Sequence, residues 1–307
     1  MQVRGRLRRL QSARKAADAR LHSLPNVVGT CFGFKMTAGT RSQQLCLTVF
    51  VRRKVKPHRL KAEQHVPDTV RRHGVDLPTD VVQVGRIENQ GGFTIHVAGA
   101  SVGEKGTLGA WGLNSDGVFG VTCAHCLASP GDIVTAEFPT PGEYLALGPA
   151  GVSANNPGTG LYPSYGAFDA GLIRVTTAGV RDYAVGRPAQ TVYRPPGTTD
   201  PQHLGELLRF VPVSGWGAGS GRLLDGVVTG VLVDIPPWRF DVMIEDPQGA
   251  SLSVAGDSGL LWTTPTGQAF ALHQAGDSEA GGGPSRHAFA SFAFRVVDDF
   301  GLTLHLA

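Results

Sequence analysis

Three short segments of the chain hold residue types that together could transfer an acyl group. They are Thr122-Cys123-Ala124-His125-Cys126, Phe168-Asp169-Ala170-Gly171-Leu172-Ile173 and Gly256-Asp257-Ser258-Gly259. A serine hydroxyl is a poor nucleophile at neutral pH and needs an imidazole to take its proton. The imidazole in turn needs a carboxylate to fix its tautomer and stabilise its charged form. His125, Asp169 and Ser258 supply those roles, 44 and 89 residues apart. Taken singly, each has a plainer reading: a core histidine beside two cysteines, a turn aspartate, a serine in a glycine-rich loop. Their ordered coincidence points to catalysis.

These segments resemble the motifs of the chymotrypsin/trypsin-like serine proteases, in the same His, Asp, Ser order. Val213-Ser214-Gly215-Trp216-Gly217 is similar to a further family segment at the start of the second barrel. The resemblance covers about residues 95–307 and implies two antiparallel β-barrels with the site in the cleft between them. It implies that Ser258 attacks a peptide carbonyl, that His125 relays the proton and that Asp169 orients His125. The oxyanion hole would be the N–H groups of Gly256 and Ser258. In family zymogens the aspartate matching Asp257 pairs with a new α-amino group released by cleavage. Val84-Gly85 and Ile95–Gly99 are poor candidates for such a start. Leu252 stands where trypsin has its acidic specificity residue, so a preference for basic side chains is not expected. His273 and Ser253 match the pocket of bacterial glutamyl endopeptidases, which suggests an acidic or Gln side chain; the alternative is a small apolar pocket.

The elements that must position these residues are short strands. Forty-two Gly and 20 Pro break the chain into Val-, Thr- and Leu-rich runs, among them Phe93–Val97, Val118–Thr122, Gly171–Thr176, Gly226–Asp234 and Gln268–His273. The expected fold class is mainly β: a trypsin-like double antiparallel β-barrel over residues 91–307, preceded by a small α+β domain over residues 1–90. No run approaches the ~20 apolar residues of a transmembrane segment.

The amino-terminal region differs in charge. Residues 1–72 hold 17 Lys+Arg and 3 Asp+Glu, against 11 and 22 in the rest. Val3, Leu7, Leu10, Ala17 and Leu21 fall on one helical face, flanked by Arg4, Arg8, Arg9, Arg14, Lys15 and Arg20, and Pro25 ends the helix. Val27–Lys35 and Leu45–Arg53 read as a hairpin around Ala38-Gly39. A solvated face attracted to the acidic barrels is one reading; contact with an acidic, activating protein partner is another. With no Trp or Tyr among these charges, nucleic acid is disfavoured. An organelle transit peptide would have a similar composition, but the strands that follow read as a folded unit.

The start lacks the continuous apolar segment of a secretory signal. By the resemblance, Cys126 should pair with a cysteine about 16 residues upstream, where this chain has Ala110 beside Gly109. Cys31 and Cys46 could face each other across the hairpin, as a disulfide or as thiols. An intracellular, cytoplasmic protein with mostly free thiols is expected. Cys123 and Cys126 match a Cys-x-x-Cys pattern, but no further zinc ligands are evident at suitable spacing, so no metal or cofactor is expected. The function expected is a gated serine endopeptidase acting on protein substrates. The alternative is a catalytically silent protease fold that acts as a scaffold through its basic amino-terminal domain.

Overall fold

Helix α1 (Gln2–Leu21) stops short of Pro25, whose ring and missing N–H exclude it from a helix interior. The computed structural model describes residues 2–37, 40–72, 74–89, 96–97, 106–127, 133–137, 144–154, 169–195, 208–236, 238–278 and 284–306. Leu10, Ala13, Ala17 and Leu21 form the buried face of α1, at the three- and four-residue spacing of one helix side. The side chains of Val3 and Leu7 lie outside the described residues. Arg14, expected on the charged flank, is instead buried: it donates to the carbonyls of Leu232 at 2.6 Å and Thr30 at 3.2 Å and pairs with Asp18 at 3.3 Å.

The hairpin consists of β1 (Val27–Thr37) and β2 (Thr40–Val51), antiparallel as expected, with residues 38 and 39 outside the described set. Cys31 faces Thr48 and Cys46 faces Gly33, so the two thiols are not cross-strand partners, and all four cysteines are free. Burial pushes both thiols up to about 12. Strands β3 (Thr69–Arg72) and β4 (Val75–Gln83) complete the region, β4 running parallel to β2, and β5 (Arg86–Asn89) follows.

The next strands are β6 (His96–Val97), β7 (Ala110–Asn114), β8 (Gly117–Thr122), β9 (Ile133–Glu137), β10 (Tyr144–Ala154) and β11 (Ala170–Arg174). Helix α2 (Ala178–Gly186) and β12 (Ala189–Gln190) lead to the second half of the chain. There β13 (Pro212–Gly217), β14 (Arg222–Ile235), β15 (Trp238–Glu245), β16 (Leu261–Thr263), β17 (Ala269–Ser278) and β18 (His287–Phe292) form one antiparallel ring. It closes because β13 pairs both with β14 and, through Ser214 and Thr263, with β16. Closure leaves no exposed edge on these six strands. Helix α3 (Ala293–Phe300) ends at Gly301, whose left-handed φ of 60° suits a residue without Cβ. The last strand, β19 (Thr303–Leu306), returns to pair with β7 in an eight-stranded sheet ordered β12-β19-β7-β8-β11-β10-β9-β6.

The chain is thus mostly β, as its composition suggests. The expected runs at 118–122, 171–176, 226–234 and 268–273 fall on β8, β11, β14 and β17; of 93–97 only residues 96 and 97 are described. At 14 residues β14 is longer than the ring needs, so its first half pairs with β13 and its second half with β1. The amino-terminal strands therefore extend the same sheet. Leu10, Leu21, Phe32 and Leu47 share a core with Val228, Trp262, Phe270 and Phe292. Each fully buried side chain of that kind stabilises by about 1.5–3 kcal/mol, so burial ties the basic region to the ring despite its opposite charge.

Candidate active site

Strand β8 ends at Thr122, and a single 3-10 turn, Ala124–Cys126, carries His125. Thr122 pairs with Gly171 of β11, which sets the turn over the start of β11, next to Asp169. A Cβ on Gly171 would come within 2.6 Å of Leu127 and 3.1 Å of Ala124, so a glycine is what lets the turn settle. Asp169 then accepts the His125 backbone N–H at 3.1 Å, and its other oxygen meets His125 Nδ1 in a close hydrogen bond. In the neutral ring this bond places the proton on Nδ1 and leaves Nε2 as the acceptor. Among the described residues, buried Nε2 has no hydrogen-bond partner.

Burial alone would lower the His125 pKa. The bonds and charges of Asp169 and Cys126 outweigh it and raise the imidazole to about 10. Cys126 is drawn down to about 6 by its contact with the Cys123 side chain, against the effect of burial, with His125 as a further aid. Cys123 is raised, chiefly by burial, and its Sγ donates to the His273 carbonyl at 3.0 Å. Cys123, His125 and Asp169 bring one ligand atom each within 4.8 Å of one another, a cluster that Cys-x-x-Cys spacing alone did not suggest. A metal there would compete with the imidazole–carboxylate bond.

Ser258 lies in the turn between β15 and β16. Gly256 and Gly259 hold φ angles of 124° and 92°, a region open mainly to glycine. A segment leading into β7 clamps this turn: Thr107 N donates to the Ser258 carbonyl at 2.6 Å and Thr107 Oγ1 to the Gly256 carbonyl at 3.0 Å. Thr122 Oγ1 donates to the Thr107 carbonyl at 2.7 Å, so the strand that leads to His125 also steadies the clamp. The N–H groups along the turn alternate. Those of Asp257 and Gly259 bond to the Val254 and His273 carbonyls, while those of Gly256 and Ser258 have no acceptor among the described residues.

Gln274 of β17 ties the parts together. Its carbonyl accepts Ser258 Oγ at 2.9 Å, its Nε2 donates to the Asp169 carbonyl at 3.1 Å, and its Oε1 accepts Ser291 Oγ at 3.1 Å. Cys126 Sγ lies 3.7 Å from the Ser258 carbonyl. His125, Asp169 and Ser258 are thereby brought into one neighbourhood, although the Ser258 hydroxyl is bonded to Gln274 rather than to His125. Sequence patterns singled out neither Gln274 nor Thr107. Their roles depend on which strand faces which turn, and no local signal marks that.

The three residues matched to a specificity pocket are all buried. Leu252 packs in the main core with Ile244, Leu260 and Trp262. Ser253 exchanges backbone bonds with Ser285 at 2.7 and 3.4 Å, and its hydroxyl has no partner among the described residues. His273 donates its N–H to the Leu260 carbonyl at 2.8 Å and stands edge-on to Trp262 at 6.0 Å between ring centres. Burial lowers its pKa to about 4; Asp257 opposes that shift and His125 adds to it. His273 is therefore neutral at physiological pH. Ala110 and Cys126 share one core cluster, and Gly106 lies directly against the thiol: a Cβ there would collide with Cys126 Sγ.

The family model described as the NARROW LEAF 1 N-terminal domain matches residues 6–82, about a quarter of the chain, covering most of the basic region and running ten residues past it. A search of curated proteins finds no match. Among solved structures, the chain is similar to one described as "A glutamic acid specific serine protease utilizes a novel histidine triad in substrate binding". That similarity has 16% identity and a TM-score of 0.44, over 70% of this chain and 99% of that one. It is also similar to "HtrA-type protease AlgW with decapeptide", at 14% identity and a TM-score of 0.41, over 71% of this chain and 64% of that one.

Proposed function

We propose that this chain is a serine endopeptidase that cleaves protein substrates through an acyl-enzyme. The observation that carries the reading is the chain of contacts through Asp169, whose carboxylate holds His125 and whose carbonyl accepts the Gln274 side chain beside Ser258. In the reaction, the Ser258 hydroxyl turns from Gln274 to His125 Nε2, which takes its proton as Oγ attacks the carbonyl carbon. Asp169 stabilises the imidazolium, which then protonates the leaving amine. The acceptor-free N–H groups of Gly256 and Ser258 suit an oxyanion that exists only in the tetrahedral intermediate. Water reverses the sequence and releases the acid.

Substrates would carry an acidic, Gln or small apolar side chain at the cleaved position. Neutral His273 and the hydroxyl of Ser253 can both donate to a carboxylate or amide oxygen. An intracellular setting and an activating partner on the basic amino-terminal region complete the reading. The domains of this reading are 1–90 for the partner-binding unit and 91–307 for the protease.

A fluorophosphonate probe tests the proposal. It should label the full chain and fail on Ser258→Ala. A peptide library should then show cleavage after Glu or Gln; cleavage after Leu or Ala alone would assign a small apolar pocket. Absence of labelling together with undiminished biological activity of Ser258→Ala would replace catalysis with the scaffold role.

A further inference from the structure

Asp257 sits between the two residues proposed as oxyanion donors, and its carboxylate is fully buried. A buried carboxylate must be met by donors or a positive charge, since leaving it unmatched costs several kcal/mol. Here the donors come from the loop between β13 and β14 and from the chain just before the turn. Ser220 Oγ donates to one oxygen at 2.5 Å and Ser220 N–H to the other at 3.0 Å, while Val254 N–H adds a third bond at 2.9 Å.

The loop is shaped for this contact. Gly221 adopts a left-handed φ of 61°, and its N–H closes a turn onto the Ala218 carbonyl at 3.2 Å. A Cβ on Gly217 would come 2.5 Å from Asp257 Oδ1, and one on Gly219 would strike Ala255 and Gly256. Only glycines at both positions allow the loop to lie on the turn. Val84-Gly85, weighed above as a new amino terminus, is committed elsewhere: Val84 is buried and Gly85 N–H donates to Asp277 at 3.3 Å.

We infer that Ser220 is a positioning residue that takes the place of a cleavage-generated amino group and sets the Gly256–Ser258 turn in the uncut chain. The inference rests on the proposed serine-protease reading and narrows its regulation: no processing cut is needed to order the oxyanion hole. Three donors on one carboxylate fix the side chain of Asp257, and through it the peptide planes that carry the N–H groups on either side. A hydroxyl and two amides replace a charge because bonds to an ionised acceptor are stronger than neutral ones.

The test uses the full chain with Ser220→Ala and Ser220→Thr, read by amide hydrogen exchange over residues 218–222 and 254–259, by fluorophosphonate labelling rate and by intact mass. The wild-type amides of Ser220 and Val254 should be protected, and the label should appear on the uncut 32.3 kDa chain. Ser220→Ala should speed exchange at Val254 by about tenfold or more and slow labelling by roughly 10- to 100-fold. Ser220→Thr, which keeps the hydroxyl, should restore both. Unchanged exchange and labelling in Ser220→Ala, or label confined to a cut product, would overturn the inference. If Ser220→Ala does not fold, the wild-type exchange decides: rapid exchange at Ser220 and Val254 rejects the lock. No label on any species, with exchange at Val254 still responding to Ser220→Ala, would reject the protease reading and leave the lock standing.

Discussion

Ser258 and Gln274 are joined by a 2.9 Å hydrogen bond from the serine hydroxyl to the backbone carbonyl, and the Gln274 side chain reaches on to Asp169. The nucleophile and the orienting acid therefore share one support. Gln274→Ala removes the bonds to Asp169 and Ser291 while keeping the carbonyl. Labelling should slow by about tenfold as Asp169 loosens, with a stability loss of about 1–2 kcal/mol from the broken buried bonds. Labelling kinetics beside thermal unfolding check both; an unaltered rate would show that Asp169 needs no such brace.

The raised pKa of His125 sets a pH dependence. Only the neutral imidazole can take the serine proton, so the labelling rate should climb with pH through the neutral range, reach half its plateau at about pH 10 and level off above that. Asp169→Asn should move the midpoint down toward the usual ~6.5 and lower the plateau. The effect on stability has the opposite sense. Because the fold favours the protonated ring, this contribution is complete below ~6.5 and disappears as pH rises through about 10. A wild-type midpoint near 6.5 would contradict the strength of the Asp169 contact.

His273 behaves in the reverse way on the acid side. Its folded pKa of about 4 lies below the ordinary value because burial penalises the charged ring. The fold binds it neutral, so stability should decline as pH falls from ~6.5 toward 4, by up to about 3 kcal/mol. Denaturant titrations of His273→Gln should show a smaller loss over that window.

Glycines with positive φ separate two costs. Gly267 has a φ of 78° and open space around it, so Gly267→Ala should cost about 1 kcal/mol. Gly259, with a φ of 92°, would drive a Cβ into the Thr107 carbonyl and Thr122 Oγ1. Gly259→Ala should cost at least ~3 kcal/mol or prevent folding, because strain and collision add. Equal melting temperatures for the two variants would rule out the tight clamp of Thr107 on the nucleophile turn.

Arg14 gives a prediction for the basic region. Arg14→Met would leave the Leu232 and Thr30 carbonyls short of a donor, at a cost of about 2–4 kcal/mol. Lys15→Ala, one residue on and exposed, should be neutral within ~0.5 kcal/mol. Chemical denaturation of the two variants would distinguish them.

Sequence by itself determined the residue types that could do chemistry, their order, the strand-rich class and the amphipathic start, because these depend on local pattern and composition. Val-, Thr- and Leu-rich runs between turn signals located β8, β11, β14 and β17, and the side chains of His125 and Asp169 meet in a hydrogen bond. Tertiary structure alone decided which groups brace them. Gln274, Thr107 and Ser220 act through contacts 37 to 149 residues away along the chain, set by how the strands pair. The same is true of Arg14, which reads as a solvated charge until β14 presents a carbonyl to it. It is true also of Gly106, whose missing Cβ makes room for the Cys126 thiol. Local pattern records what a residue can do, and long-range packing selects the neighbour that uses it.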